Sequence, residues 1–144
     1  MEDRLKTAIA AAVETEPFAR TLGITLTELD DGRSAVEMIY DPDRMANLFG
    51  RIHGGAVFAL IDEAFETACQ TDGTVTVALN VNTTYIAAPD QRTRLRAEAR
   101  RVAGTRKTAT FDIRVTDDQN RLIATCQALA YRTGTPLPFM GKND

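Results

Sequence analysis

The residues able to do chemistry concentrate in one stretch, 47–66, NLFGRIHGGAVFALIDEAFE. Gly54 and Gly55 stand directly before a run without a polar residue, 56–61. The backbone can approach a ligand closely there, and the unsatisfied N–H groups of a first helical turn would point out of the helix end. That end carries about half a positive charge, which suits a carbonyl oxygen becoming an oxyanion during acyl transfer. A tight loop-to-helix turn would ask for the same two glycines, and the pair alone leaves both readings open. Asp62 follows in mid-helix, where aspartate has mediocre propensity. At about 100° per residue, Glu66, Gln70 and Glu63 lie roughly 40°, 80° and 100° from Asp62, so the four share a polar stripe. A solvated stripe is one reading; the other is a carboxylate whose proton affinity is raised toward general-base strength by crowding and partial burial. His53 is the only histidine, which excludes two-histidine catalysis and a His-rich metal site; its imidazole could bond a carbonyl or brace the loop. A metal set of His53, Asp62 and Glu66 fails on spacing, matching neither HExxH nor a paired-cysteine pattern.

Several elements must hold these residues in place. Residues 55–70 contain Ala, Leu, Phe and Glu without proline, and the spacing predicts a helix whose first half is apolar all round and therefore buried. Leu5, Ala8, Ile9, Ala12 and Val13 fall on one helical face, predicting an N-terminal helix over 1–16 that Pro17 ends. Residues 23–29 and 33–40 read as a hairpin around Asp30-Asp31-Gly32, and 41–52, broken by Pro42, Asn47 and Gly50, as a loop. Four more strands are predicted over 75–86, 95–102, 108–115 and 122–131. In the third, Ala109, Phe111, Ile113 and Val115 alternate with Thr108, Thr110, Asp112 and Arg114, as in an antiparallel sheet covered on one side. The tail, 134–144, holds two prolines and two glycines and is expected to be loosely ordered. The order specifies an α+β fold, one domain over 1–144, with about six antiparallel strands wrapped against one long central helix. Leu122, Ala124, Ala128 and Ala130, or their alternates, are expected to leave an apolar sheet face that self-association would cover.

Composition narrows the function classes. With 144 residues, 44% of them hydrophobic, the chain can bury a real core without metals or disulfides. Its 17 Lys and Arg against 20 Asp and Glu leave a charge of −3, which argues against nucleic acid and anionic lipid as partners. The N-terminal apolar run, 8–13, is flanked by acids and lacks the basic region of a signal peptide, so no membrane association is expected. Cys69 and Cys126 stand alone in apolar stretches, which fits a reduced cytoplasmic setting. Arg92, Arg94, Arg96, Arg100, Arg101, Arg106 and Lys107 are either the solvated face of strands or, in one or two cases such as Arg106, holders of phosphate groups.

The run Asn47-x-x-Gly50-x-x-His53-Gly54-Gly55, with Asp62 eight residues beyond Gly54, resembles that of the hot-dog fold acyl-CoA thioesterases of the phenylacetate-degradation PaaI type. The resemblance extends through VALNVNTTYIAAP, RLRAEARRVAG and RLIATCQALA, covering about residues 17–132. It implies that Gly54 supplies the oxyanion N–H, that Asp62 activates water or attacks directly, and that Asn47 holds the water or carbonyl; His53 is a further candidate, beside Gly54, for the oxyanion. Some members carry a Ser or Thr on the strand after the central helix; Ala78 stands there in this sequence, with Thr76 and Asn80 beside it. The resemblance further implies a homodimer, commonly a dimer of dimers, with no metal and no organic cofactor. Gly55, Phe58, Phe65, Tyr85 and Arg106 are then expected at the acyl-CoA substrate.

Gly54 and Asp62, eight residues apart on one helix, are about 12 Å apart, so one carbonyl carbon cannot touch both. The consistent solution places Gly54 of one copy against Asp62 of another across a twofold axis. The alternatives are a hot-dog dehydratase or hydratase using His53 and Glu66, a non-catalytic acyl-CoA-binding protein, and a purely structural oligomer. Against the hydratase, the chain lacks the D-x-N-P-x-H run of that type.

Overall fold

The computed structural model describes residues 1–141. Helix α1 (Asp3–Thr15) buries Leu5, Ile9 and Val13 of the five positions its periodicity selects and half-buries Ala8 and Ala12. Pro17 does more than end it. Proline's fixed φ is preorganised for the first helical position, and Pro17 opens a second helix, α2 (Pro17–Leu22), that sequence analysis left out. Gly23 closes α2 at φ 68, a left-handed conformation that favours glycine. The hairpin follows as expected, with β1 (Thr25–Asp30) and β2 (Arg33–Tyr40) paired antiparallel from Thr25–Glu37 to Asp30–Arg33. The expected loop at 41–52 contains one short helix, α3 (Pro42–Met45), started by Asp41, whose Oδ1 accepts the N–H of Asp43. The long helix α4 runs over Gly54–Cys69, one residue earlier than predicted at its start.

The rest is sheet: β3 (Thr74–Tyr85), β4 (Thr93–Gly104), β5 (Thr108–Asp117) and β6 (Leu122–Pro136). The six strands lie in the order β1-β2-β4-β5-β6-β3, every neighbouring pair antiparallel. The helix lies against this sheet, and both are lined with small residues where they meet. Ala97 and Ala99 on β4, Ala109 on β5, and Ala124, Ala128 and Ala130 on β6 are buried with Ala56, Ala59, Ala64 and Ala68 of α4 in one core. Small side chains let the helix approach closely, while Phe65 and Phe111 fill the middle edge to face, 5.4 Å between ring centroids. Ser34 Oγ donates to the carbonyl of Ala64 at 2.6 Å, tying β2 to the centre of α4.

Two expectations need correction. The alanines of β6 expected on an uncovered face are turned into the core, and Leu122 is half-buried; the exposed apolar residues lie elsewhere, including Val77 at 44% and Leu79 at 59% on β3, Leu48 at 98% and Phe49 at 83% in the loop before α4, and single residues such as Phe18, Ile39 and Val102. The tail is not loose. β6 continues to Pro136, Leu137 is buried with Leu5, Ile9, Val13 and Leu29, and a 3-10 turn (Pro138–Met140) follows. A hydrophobic anchor thus outweighs the proline and glycine content; the expected disorder at 142–144 lies outside the described residues. No helix among the described residues is long and apolar enough to cross a membrane.

Candidate active site

The start of α4 is organised by one side chain. His53 is its N-cap, with extended backbone (φ −68, ψ 134), and its Nδ1 accepts the N–H of Gly55 at 2.9 Å. The ring crowds any side chain there, since a Cβ on Gly55 would lie 3.1 Å from Nδ1 and the imidazole would have to yield. Gly55 therefore gives its N–H to the cap, while Ala56 N–H reaches the carbonyl of His53. The N–H of Gly54 has no acceptor among the described residues. It is the orphan donor of this helix end, in a half-buried position.

Around it lies a cavity of about 280 Å³, walled by Asn47, Ile52, Gly54, Val57, Tyr85 and Ile86 among others. Tyr85 Oη donates to the carbonyl of Gly54 at 3.2 Å. Asn47 Oδ1 accepts the N–H groups of Phe49 and Arg51 at 2.9 and 3.1 Å, which curls the loop and leaves its NH₂ without a hydrogen bond among the described residues. Asn47, Gly54 and Tyr85 are therefore brought together, with His53 behind them.

Asp62 is elsewhere. It is half-buried on α4 and walls a second cavity, about 250 Å³, with Phe65, Glu66, Thr76, Val77 and Ala78. Gln70 fixes this region by clasping Thr76 at both backbone groups, accepting its N–H at 3.1 Å and donating to its carbonyl at 3.0 Å. Burial raises the proton affinity of Asp62 above the ordinary aspartate range. Desolvation first, then the charges of Glu16 and Asp62, push Glu66 up to about 7. The predicted stripe is incomplete, because Glu63 is buried; desolvation, then Glu16 and Glu66, push it up to about 8. The association of Glu16 with this helix was not foreseen, because no local spacing links residues 16 and 63.

The remaining candidates are dispersed. Phe58 is half-buried and lines neither cavity, while Phe65 combines a core contact with a place on the Asp62 wall. Arg106 lies in a third, open cavity of about 780 Å³ with Lys107, Arg101, Arg132 and Asp72. There Asp72 is paired with Arg101 at 2.8 Å and with Arg132, whereas Arg106 and Lys107 form no ion pair among the described residues. Arg92 pairs with Asp41, and Arg94, Arg96 and Arg100 pair with Glu28, Glu37 and Glu98. Arg94, Arg96 and Arg100 read as the solvated face of β4, and Arg92 as part of the turn before it.

A profile of the thioesterase superfamily matches residues 49–124, which contain both cavities' principal residues except Asn47. An Archaeoglobus fulgidus protein carrying a provisional esterase name is 33% identical over 117 residues, 81% of this chain and 75% of that protein. The acyl-coenzyme A thioesterase PaaI of Escherichia coli is 28% identical over 86% of this chain and 88% of its own. The structure of the PaaI protein from the E. coli phenylacetic acid degradation operon superposes with a TM-score of 0.87, at 26% identity, over 92% of this chain and 96% of that one. A mutant of the Thermus thermophilus phenylacetic acid degradation protein PaaI gives 0.76 at 32% identity, over 81% of this chain and 99% of that one. With the six-stranded sheet, the central helix and the motif at its start all accounted for, the chain belongs to the thioesterase superfamily, as a hot-dog thioester hydrolase of the PaaI type.

Proposed function

We propose that the chain hydrolyses acyl-CoA thioesters at two equivalent sites shared by a homodimer. The observation that carries this reading is the position of the two half-sites along β3. The Gly54 cavity is walled by Tyr85 and Ile86 at the end of that strand, and the Asp62 cavity by Thr76, Val77 and Ala78 near its beginning. β3 is the last strand of the sheet, bonded to β6 on one side only. Antiparallel pairing of two β3 strands about a twofold axis near Asn80 and Val81 would lay residues 76–78 of one copy beside 83–85 of the other. Gly54 would then face Asp62 of the partner subunit across one void.

In that void, Asp62 of the partner subunit takes a proton from water as the water oxygen bonds to the thioester carbon. Gly54 N–H holds the oxyanion, and Asn47 NH₂ orients the water or the carbonyl. Collapse breaks the carbon–sulfur bond, and the CoA thiolate leaves and takes up a proton, giving free acid and CoA. Direct attack by the carboxylate, through a mixed anhydride, uses the same geometry. Nδ1 of His53 is occupied as the cap acceptor, so its ring acts by holding the glycine turn and by any bond its Nε2–H donates to substrate. Phe65 and Tyr85 wall the two halves against the acyl group, and Arg106 with Lys107 supplies cationic groups for CoA phosphates. The buried free thiols Cys69 and Cys126 suit a reducing cytoplasm.

Complementation tests the shared site. Asp62→Asn removes the base. Gly54→Pro removes the donor N–H at a first helical position, where proline is tolerated and where the extended His53 suits a following proline. Each variant alone should lose about 10²-fold or more in thiol release. Mixed and reassociated in equal amounts, they should recover up to about a quarter of wild-type turnover, because half the dimers are mixed and each carries one intact site. No recovery in verified mixed dimers would overturn the shared site. A panel of aromatic, short, medium and long acyl-CoA substrates assigns the acyl group, and an unsaturated product without free thiol would favour the hydratase chemistry instead.

A further inference from the structure

Glu16, at the joint between α1 and α2, and Glu63 and Glu66 of α4 bring one carboxylate oxygen each to within 4.8 Å of one another. Acidic clusters are common on protein surfaces and signify nothing alone. Here, however, Glu63 is only 3% exposed, and its Oε1 is buried without a hydrogen-bond partner. The side chain it meets across the cluster is another carboxylate, Glu16, to which it can hydrogen-bond only by sharing a proton, and the charges acting on it come from Glu16, Glu66 and Asp62, all negative. None of the three glutamates forms an ion pair with Lys, Arg or His among the described residues. Glu16 also stands at the N-cap of α2 yet makes no capping hydrogen bond, leaving its carboxylate to the cluster. An orphaned carboxylate oxygen in a buried position calls for a proton or a cation.

We propose that Glu16, Glu63 and Glu66 hold one hard divalent cation, of the Mg²⁺, Mn²⁺ or Ca²⁺ class, which fastens the α1–α2 joint to the middle of α4. Three carboxylate oxygens and no sulfur or imidazole define a hard site. Ligands about 2.0–2.6 Å from a shared ion can themselves be separated by the spacing observed here. Glu63 and Glu66, three residues apart, project from one face of α4, and Glu16 comes from a different element, so the ion would close a tertiary contact. Glu66 is exposed, which provides an entry path and room for water to complete the coordination. This set differs from the His53, Asp62 and Glu66 combination that spacing excludes.

The test uses the full-length chain, stripped with chelator and titrated with Mn²⁺ while the free-ion paramagnetic signal is followed. The wild type should remove one equivalent per chain, and its Tm should rise with the logarithm of Mn²⁺ or Ca²⁺ concentration. Glu63→Gln, which keeps the shape and removes the charge, should bind about tenfold more weakly or worse. Should that variant fail to fold, Glu16→Gln, at the partly exposed joint, is expected to behave the same way. Absence of stoichiometric binding by the wild type, or equal binding by the variants, overturns the proposal. A Tm that answers to pH but not to cation overturns it too, because the cluster then shares a proton. No step of thioester cleavage runs through this ion and no readout uses substrate, so its failure leaves the shared acyl-CoA site untouched.

Discussion

At the scale of single residues, the N-cap decides what the helix end can offer. Because His53 Nδ1 takes the Gly55 N–H and the His53 carbonyl takes that of Ala56, one unclaimed donor is left, on Gly54. A cap of this kind is worth about 0.5–2 kcal/mol. His53→Ala should lose stability in that range on urea unfolding and blur the position of Gly54, lowering kcat. His53→Asn, a strong cap, should restore stability, and any kcat that remains missing measures what the imidazole does beyond capping. The identity of the residues at this turn was legible, since His-Gly-Gly before an apolar run announces a helix start with close backbone approach. The division of labour between the two glycines was not. It depends on which N–H the ring accepts, a detail of φ, ψ and side-chain torsion that composition and spacing do not carry. Glu63 was misjudged for a related reason: a helical wheel gives angles around α4 but not which elements cover each angle, and it is the α1–α2 joint that brings Glu16 to that side.

At the scale of elements, alternation proved a good guide wherever one face of a strand is covered. Ala109, Phe111, Ile113 and Val115 are buried, while Asp112 and Arg114 are exposed, as period two demands. Prolines misled in both directions. Pro17 opens α2 as well as following α1, and Pro136 and Pro138 flank a residue that is anchored. Leu137 explains the anchoring: it closes a small second core with Leu5, Ile9, Val13 and Leu29, beyond the edge of the main one. Leu137→Ala should cost about 2–3 kcal/mol, toward the low end for a buried leucine because a peripheral site can partly collapse. Denaturant unfolding checks the magnitude. Hydrogen exchange should show the loss of protection concentrated in α1 and β1 rather than in α4, since that cluster draws its residues from α1 and β1 and not from the site.

At the scale of the whole molecule, the long margin formed by β3 is what the fold leaves unfinished. Val77 and Leu79 on this strand are exposed, and the nearby loop projects Leu48 and Phe49. Solvating these residues is unfavourable in a lone copy, and in the proposed dimer the partner that covers them would also complete the acyl site. Leu79→Glu should weaken self-association, moving the sedimentation or light-scattering mass from that of two chains, or of four if dimers pair, toward one chain of 15.8 kDa. Thiol release should fall with it at dilute concentration and recover as protein concentration rises, a behaviour that a site complete in one chain would not display. The opposite margin looks different. β1 has only six residues, its register is interrupted between Leu26 and Glu28, and Glu28 lies there in ion pairs with Arg33 and Arg96. Two subunits joined through their long margins would both end in that short, kinked, charged border, which offers no template for a third. A chain that pairs with one twin in this way would not grow into a ribbon.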